Sequence, residues 1–375
     1  MIIGIDGNEA NVGTKVGIGQ YASELLKQLY EFKIENLKFK IYLKSTPKDH
    51  MPKASNYWEY KVVKPPKFWT QIGLPIHLYT TSDKPDMFFS PTHYAPRLCP
   101  VPSIISIMDM SFEYFPELFA KKDLHQLQSW TRYSAKNAAK ILTISEASKS
   151  DIIKFYNVPE DKVVVTHLGL RTDLPTKQKN NMENISKKYG IDKKYILFVG
   201  TLQPRKNIER LVEAYSKLKV QNEKLKDIEL VIVGKKGWLY EPILAAPKKF
   251  GVEESVKFLD FVPDEDMPAM YKNAECYVLP SLYEGFGLPV LEAMKYDCPV
   301  LTSNISSLPE AGGDAAVYFN PTDVQDITDK IGMVLSDSTL QKDMIKKGRE
   351  QLKKFSWEKT AKETLDVLKE VVEKK

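Results

Sequence analysis

CYVLPSLYEGFGLPVLEAMKY, residues 276–296, is the stretch on which the fold reading turns. It opens as a short β-branched and aromatic run, CYVLPS, and closes as a helical pattern, GLPVLEAMKY. Between them a Gly-Phe-Gly turn is flanked by Glu284 and Glu292. A core segment gains nothing from carboxylates, and a surface loop does not need so much Leu, Val and Phe. A strand that turns tightly into a helix accounts for both. Leu288 and Pro289 open the helix, where the N–H that proline lacks has no partner in any case. Gly285 and Gly287 keep the turn bare, so a ligand can approach the backbone. The free N–H groups of Gly287 and Leu288, with the positive end of the helix dipole behind them, make an anion site, and phosphate is its usual occupant. Taken alone, Glu292 is equally an ordinary acid in the first turn, on the polar side with Lys295 and Tyr296. That account leaves Glu284 and the glycines unexplained.

The same grammar runs outward in both directions. YILFVG, IELVIVG, VKFLDFV and PVLTS are strand candidates beside CYVLPS, with NIERLVEAYSKLK as a helix among them. Upstream lies RTDLPTKQKNNMENISKKYGIDKK, polar and almost free of large apolar residues, which reads as a linker holding a short helix. Before it, IIGID, FKIYLK, YKVVK, DMFFS, SIISIMD, KILTIS and KVVVTHL alternate with helical IGQYASELLKQLYEF and LHQLQSWTRYSAKNAAK. Strand–helix alternation implies parallel sheets covered by helices on both faces. The expectation is an α/β protein with two doubly wound parallel-sheet domains, residues 1–175 and 190–355, and ligands bound beyond the carboxyl ends of the strands, in a cleft between the domains. The terminal stretch 356–375 predicts a helix capped by Ser356, with Trp357, Ala361, Leu365, Leu368 and Val372 on one stripe.

A chain of 375 residues exceeds one ordinary core, which agrees with two domains. Hydrophobic residues at 43% and charged residues at 27% mark a globular, soluble composition. A net charge of +5, small beside 54 Lys+Arg and 49 Asp+Glu, permits an acidic ligand or an anionic membrane surface; no nucleic-acid partner is expected. MIIGIDGNEA lacks the features of a signal peptide, and no apolar run reaches membrane-spanning length. Cys99, Cys276 and Cys298 have no CxxC spacing and read as small core residues, so a cytoplasmic setting is expected.

A second constellation is GTLQPRKNIERLVEAY, where a strand ends at Gly200, Thr201 opens the loop, and a helix starts at Asn207, a good N-cap. Arg205 and Lys206 precede that helix. Cations there oppose the dipole by about 0.3–1 kcal/mol each when exposed, and a bound diphosphate reverses the sign. A solvated loop pair is the alternative. A third is GTKVGIGQYASEL, a glycine-rich loop between the first strand and first helix, carrying Gly17 and Gly19. It resembles the start of a dinucleotide fingerprint, yet position 22 is Ala and the second strand ends in Lys44 where an NAD site wants an acid. Asp109 ends the strand SIISIMD and belongs at the cleft mouth, or is a plain strand-end turn residue. Asp264-Glu265-Asp266 formally matches a metal–diphosphate pattern but reads better as the capping first turn of the helix that follows. His93 and His167 end strands and read as core or surface residues. No histidines pair at ligand spacing, and no metal is expected.

Together these residues resemble the retaining glycosyltransferases of family 4, which have the GT-B fold. The resemblance covers essentially the whole chain, from GIGQYASEL through TISEASKSDI, GTLQPRKNIERLVEAY, LYEGFGLPVLEAM and SSLPEAGGDAAVYFNPTD to FSWEKTAKETL. It implies an N-terminal acceptor domain, a C-terminal nucleotide-sugar donor domain, and a last helix crossing back to the first domain. It further implies that Arg205 and Lys206 clamp the donor diphosphate and that Gly287 and Leu288 give it backbone amides. Glu292 would hold the ribose hydroxyls, Glu284 the donor sugar near the reacting carbon, and Gly17 and Gly19 would approach the diphosphate. Thr201 would join the donor site and Asp109 the catalytic group. The family usually has His-Asp where this chain has Met108-Asp109, and methionine cannot donate a hydrogen bond, so that sugar contact is absent or supplied by another group.

The implied reaction is metal-independent hexosyl transfer with retention, without a cofactor. The donor is a nucleotide diphosphate sugar, and the acceptor a saccharide or lipid-linked saccharide. SFEYFPELF is most like mannose-transferring members, which puts GDP-mannose first and UDP-sugars behind it. NYWEYKVVKPPKFW interleaves lysines with aromatics and reads either as a peripheral membrane contact at the inner face of the cytoplasmic membrane or as a strand and loop with a solvated basic face. The rivals are a nucleotide-sugar epimerase on the same fold and a catalytically weakened nucleotide-sugar-binding protein.

Overall fold

The computed structural model describes residues 1–13, 15, 17–175 and 182–374. They form two units, Met1–Arg171 with Phe355–Lys375, and Thr172–Lys354. Among the described residues the first unit holds β1 (Ile2–Asp6), β2 (Lys38–Leu43), β3 (Trp58–Val62), β4 (Met87–Ser90), β5 (Ser103–Ser106), β6 (Lys140–Thr143) and β7 (Val163–Val165). They make one parallel sheet in the order β3-β2-β1-β4-β5-β6-β7. The second unit holds β8 (Tyr195–Val199), β9 (Glu229–Val233), β10 (Val256–Leu259), β11 (Cys276–Leu279), β12 (Val300–Ser303) and β13 (Ala316–Phe319). Its order is β10-β9-β8-β11-β12-β13, again parallel. Central strands such as β4 and β9 are buried along their whole length, as a sheet covered on both faces requires. Each sheet reverses its strand order once, between β1 and β4 and between β8 and β11. Loops that leave a reversal diverge and open a crevice at the carboxyl ends of the strands.

The last helix, Trp357–Glu373, packs within the first unit on the helix Ile18–Glu31, where Trp357 and Tyr21 lie 6.2 Å apart between ring centroids. A Cβ on Gly169 would run into the backbone of Trp357, so only glycine lets the loop after β7 pass there. The Ser356 hydroxyl accepts from Lys359 N at 3.1 Å, as a cap should, and Thr360 Oγ1 donates to His167 O at 2.5 Å. Ser356→Ala is expected to cost about 1 kcal/mol, read as a lowered denaturant midpoint at unchanged slope. The buried stripe is Trp357, Ala361, Leu365, Leu368 and Val371; Val372 is only half-buried, because the 3.6-residue period favours the earlier valine.

Several local expectations change. Asp264–Asp266 does not cap the helix Met267–Lys272 through Asp266, which is fully buried and accepts from Lys188 Nζ and Tyr189 OH, each at 2.6 Å. It pins the short helix Met182–Tyr189 to the second unit. Residues 176–181 of the polar linker lie outside the described residues. Cys276 and Cys298 are buried, whereas Cys99 is only half-buried.

Candidate active site

The crevice between β8 and β11 is built from three loops of the second unit. The first leaves β8 and turns through Pro204–Lys206 into the helix Ile208–Gln221. Asn207 stands at the N-cap position but is not the side-chain cap expected of it. It is left-handed, with φ 57°, and its amide donates to Pro280 O at 3.0 Å and Pro321 O at 2.8 Å. It thereby ties the loop after β8 to the loops after β11 and β13. Leu282 N donates to Arg205 O at 2.8 Å, and Arg205 Nη1 donates to Tyr283 O.

These ties bring Arg205, Lys206 and Glu284 together. Lys206 Nζ donates to Glu284 Oε1 at 2.5 Å and Arg205 Nη1 to Oε2 at 3.0 Å. Ser281 Oγ donates to the same Oε1 at 2.6 Å. Glu284 and Lys206 are each only 8% exposed. Burial pushes the Glu284 carboxyl up, but the Lys206 and Arg205 charges, helped by hydrogen bonds from Lys206 and Ser281, outweigh it and hold it at about 2. From the third loop, Ser306 Oγ accepts from Glu284 N at 3.0 Å and Ser307 Oγ donates to Glu284 O at 2.8 Å. Ser281, Ser306 and Ser307 received no role in the sequence reading. Ser281 stands three residues before Glu284, and Ser306-Ser307 open SSLPEAGG, so all lay within noted motifs.

Past Glu284 the chain enters the helix Leu288–Lys295 through Gly287, whose φ of 103° belongs to the left-handed side of the map. A Cβ there would sit 2.9 Å from Leu308 Cδ2, so both conformation and space demand glycine. Leu288 follows as the first helical residue. Glu292 falls just beyond the first turn rather than in it. Half-buried, it accepts from Tyr271 OH at 3.5 Å, and Tyr271 stacks on Tyr296 at 5.8 Å. Burial first, then the Glu292 charge, raises the Tyr271 hydroxyl well above its ordinary value, so it stays a donor. Thr201 is exposed in the loop after β8.

The remaining candidates lie in the first unit. Gly17, at φ 50°, precedes the helix Ile18–Glu31, and Gly19 lies inside it, where a Cβ would come within 3.1 Å of Glu9 O. Thr14 and Val16 of that glycine loop lie outside the described residues. Asp109 does not end a strand: β5 stops at Ser106, and Asp109 Oδ1 accepts from Ser111 N at 2.8 Å in the following turn. Met108 O accepts from Ser148 Oγ at 3.1 Å. His93 and His167 also lie beyond their strands, in the loops after β4 and β7. His93 therefore stands at the reversal between β1 and β4, with Nδ1 buried and without a hydrogen-bond partner. Burial lowers its pKa, and the Asp109 charge partly offsets this.

A buried lysine and a half-buried arginine against one carboxylate, at the strand-order reversal of a Rossmann-like unit and beside a glycine-opened helix, make an arrangement able to hold a phosphorylated ligand. Residues 181–351 match the model of the family described as glycosyl transferases group 1. The chain is 32% identical over 369 residues to O-antigen chain mannosyltransferase B of Escherichia coli, covering 94% of this chain and 96% of that protein. It is similar in fold to sucrose-phosphate synthase of Thermosynechococcus elongatus, with a TM-score of 0.73, 15% identity and full coverage of both chains. It is likewise similar to HepE of Anabaena, solved in complex with UDP, with a TM-score of 0.73, 16% identity and coverage of 98% and 99%. The chain belongs to the group 1 glycosyl transferases. Its two Rossmann-like units are those of the GT-B fold.

Proposed function

We propose that the protein is a retaining mannosyltransferase of glycosyltransferase family 4, using GDP-mannose and a saccharide or lipid-linked saccharide acceptor, without a metal ion. The observation that carries this is the Arg205–Lys206–Glu284 cluster, with Lys206 and Glu284 buried, beside the Gly287 turn. The mannosyltransferase relative supports the choice of sugar.

In this reading Lys206, Arg205 and the Leu288 end of the helix hold the donor diphosphate. As the bond from the anomeric carbon to the β-phosphate oxygen breaks, its electron pair goes to that oxygen. The two cations stabilise the charge that develops, which is the work a divalent ion performs elsewhere. The acceptor hydroxyl attacks from the face the diphosphate leaves, its oxygen bonds to the anomeric carbon, and its proton passes to the departing phosphate. Glu284, its carboxyl held at about 2 by its cations, is too weak a base to take that proton. Its oxygens are occupied by Lys206, Arg205 and Ser281, which fits a group that orients the sugar rather than a glycosidase nucleophile. Glu292 holds the ribose, and Thr201 borders the donor.

Calorimetric titration without added metal tests this. GDP-mannose and GDP are expected to bind, UDP-glucose more weakly, and NMR of the product should show the donor's anomeric configuration kept. Absence of binding by any nucleotide sugar, or an inverted product, would overturn it.

A further inference from the structure

Tyr271 is a buried tyrosine whose packing uses only its ring. It lies in the helix Met267–Lys272 and is 1% exposed. Its ring stacks on Tyr296, with centroids 5.8 Å and planes 20° apart, and makes a T-shaped contact with Tyr277 of β11 at 5.7 Å. A phenylalanine would make the same contacts. A buried hydroxyl is costly unless it is bonded. Among the described residues the Tyr271 hydroxyl makes one hydrogen bond, to Glu292 Oε2 at 3.5 Å. Bonds of binding and catalytic groups are often that long before a ligand settles, and shorten with it.

What fixes Tyr271 also limits where Glu292 can point. Glu292 is half-buried on the helix Leu288–Lys295, and its long side chain must give up rotamer freedom before it can meet two neighbouring hydroxyls at once. Lys295 stands close by, its ammonium 5.8 Å from the centre of the Tyr296 ring. Burial lowers the Lys295 pKa, and the Glu292 charge, then that of Asp173, partly offsets this. Left alone, that cation would draw the carboxylate towards itself, and the Tyr271 hydroxyl competes for it. The framework continues to the other half of the crevice. Tyr277 OH donates to Val199 O at 3.4 Å, on the last residue of β8, and the loop bearing Arg205 and Lys206 leaves that strand. Tyr296 OH donates to Pro175 O at 3.0 Å. Packed rings therefore set the spacing between Glu292 and the strand that carries the cationic loop.

We infer that Tyr271 is a positioning residue: its hydroxyl holds Glu292 in the orientation that accepts from the ribose hydroxyls of the nucleotide, and so sets the preference for ribose over a sugar lacking them. The inference rests on the assignment of Glu292 to the ribose in the proposed function. A carboxylate anchored at one oxygen presents its remaining lone pairs in a fixed plane, which suits a vicinal diol. Tyr271 acts through Glu292 and has no contact of its own with the donor.

The experiment is calorimetric titration of the full chain with GDP and its 2′,3′-dideoxy analogue, and with the corresponding uridine pair, because a ribose contact does not depend on the base. The parent is expected to bind the ribonucleotide about 10–100-fold more tightly than the dideoxy analogue, the scale of hydrogen bonds to a charged group. Glu292→Ala should bring that ratio to within about threefold of one. Tyr271→Phe keeps the ring and loses the hydroxyl. It should lower the ratio by about five- to tenfold while holding the dideoxy analogue within about twofold of the parent. It should melt about 2–4 °C below the parent. Tyr296→Leu removes the face on which Tyr271 rests and should lower the ratio by about threefold, so the test stands even where Tyr271→Phe does not fold. If Tyr271→Phe leaves the ratio unchanged, or weakens both nucleotides alike, while Glu292→Ala collapses it, the inference falls alone. If the parent does not distinguish the two sugars, or Glu292→Ala keeps the preference, the ribose assignment falls first and the inference with it.

Discussion

Lys206→Ala is expected to lower kcat/KM for sugar transfer by about 10²–10³-fold, the scale found when a preorganised group facing developing charge is removed. Two consequences of its position set that size. Lys206 is buried, so its charge acts at low local dielectric on the departing diphosphate, where it counts for far more than a solvent-exposed lysine. Its removal also leaves Glu284 with a single cation, Arg205, and breaking one side of a buried ion pair costs about 3–5 kcal/mol. Stability and catalysis must therefore be measured separately. The variant should melt at lower temperature, yet at a temperature where it remains folded its kcat should fall more than its affinity for GDP. The phosphate charge grows as the bond breaks, so the lost stabilisation is larger in the transition state than in the ground state. Lys206→Arg is expected to restore only part of the loss, because a planar guanidinium cannot place one charge where an ammonium sat. A Lys206→Ala enzyme within about threefold of the original kcat/KM would remove Lys206 from the proposed mechanism.

How far the sequence leads can be judged from particular elements. The doubly wound architecture was legible because buried parallel strands must be continuous apolar runs, and YILFVG, IELVIVG and CYVLPS are such runs. Strand β13 was not read as one. Ala316, Val317 and Tyr318 are only half-buried at the sheet edge, so AVYF has neither a buried run nor a clear alternation. The site residues were legible as types at suggestive spacing, but their pairing was not. Glu284 meets Arg205 and Lys206 across 79 and 78 residues, through the strand order that sets β8 beside β11. No local periodicity carries that information. Asn207 makes the same point in reverse: its position at a helix start was readable, but its amide is used by carbonyls 73 and 114 residues away, in competition with the local cap. In the aromatic-basic stretch, which rings are buried was not legible for a related reason. Of the aromatics in NYWEYKVVKPPKFW, only Phe68 is exposed. Whether Trp58 and Trp69 face core or solvent depends on β3 register and on the turn after it, neither of which the alternation of Lys with aromatics encodes.

Glu284→Gln is expected to separate three quantities that the carboxylate holds together. Stability falls by about 3–5 kcal/mol, because Lys206 stays buried, and Arg205 half-buried, without their counter-charge. The pH dependence identifies the source. The carboxyl sits at about 2 in the folded chain against an ordinary 4.5, so the folded state binds its proton more weakly than the unfolded state does. Its contribution is therefore fully present above about 4.5 and is lost as pH falls through about 2. The difference in unfolding free energy between parent and variant should stay level from neutral pH down to about 5, then close on further acidification. Binding should move the opposite way. GDP returns negative charge to the two cations, so the rise in melting temperature produced by saturating GDP should be larger in Glu284→Gln than in the parent. Turnover should still fall, by about 10–100-fold, since the amide cannot keep both cations and the donor sugar in register. Tighter response to GDP with slower transfer distinguishes an orienting carboxylate from a purely structural one, for which GDP would rescue stability and activity together. A GDP shift smaller than the parent's would mean that the diphosphate does not meet Arg205 and Lys206, and the proposed donor clamp would have to be placed elsewhere.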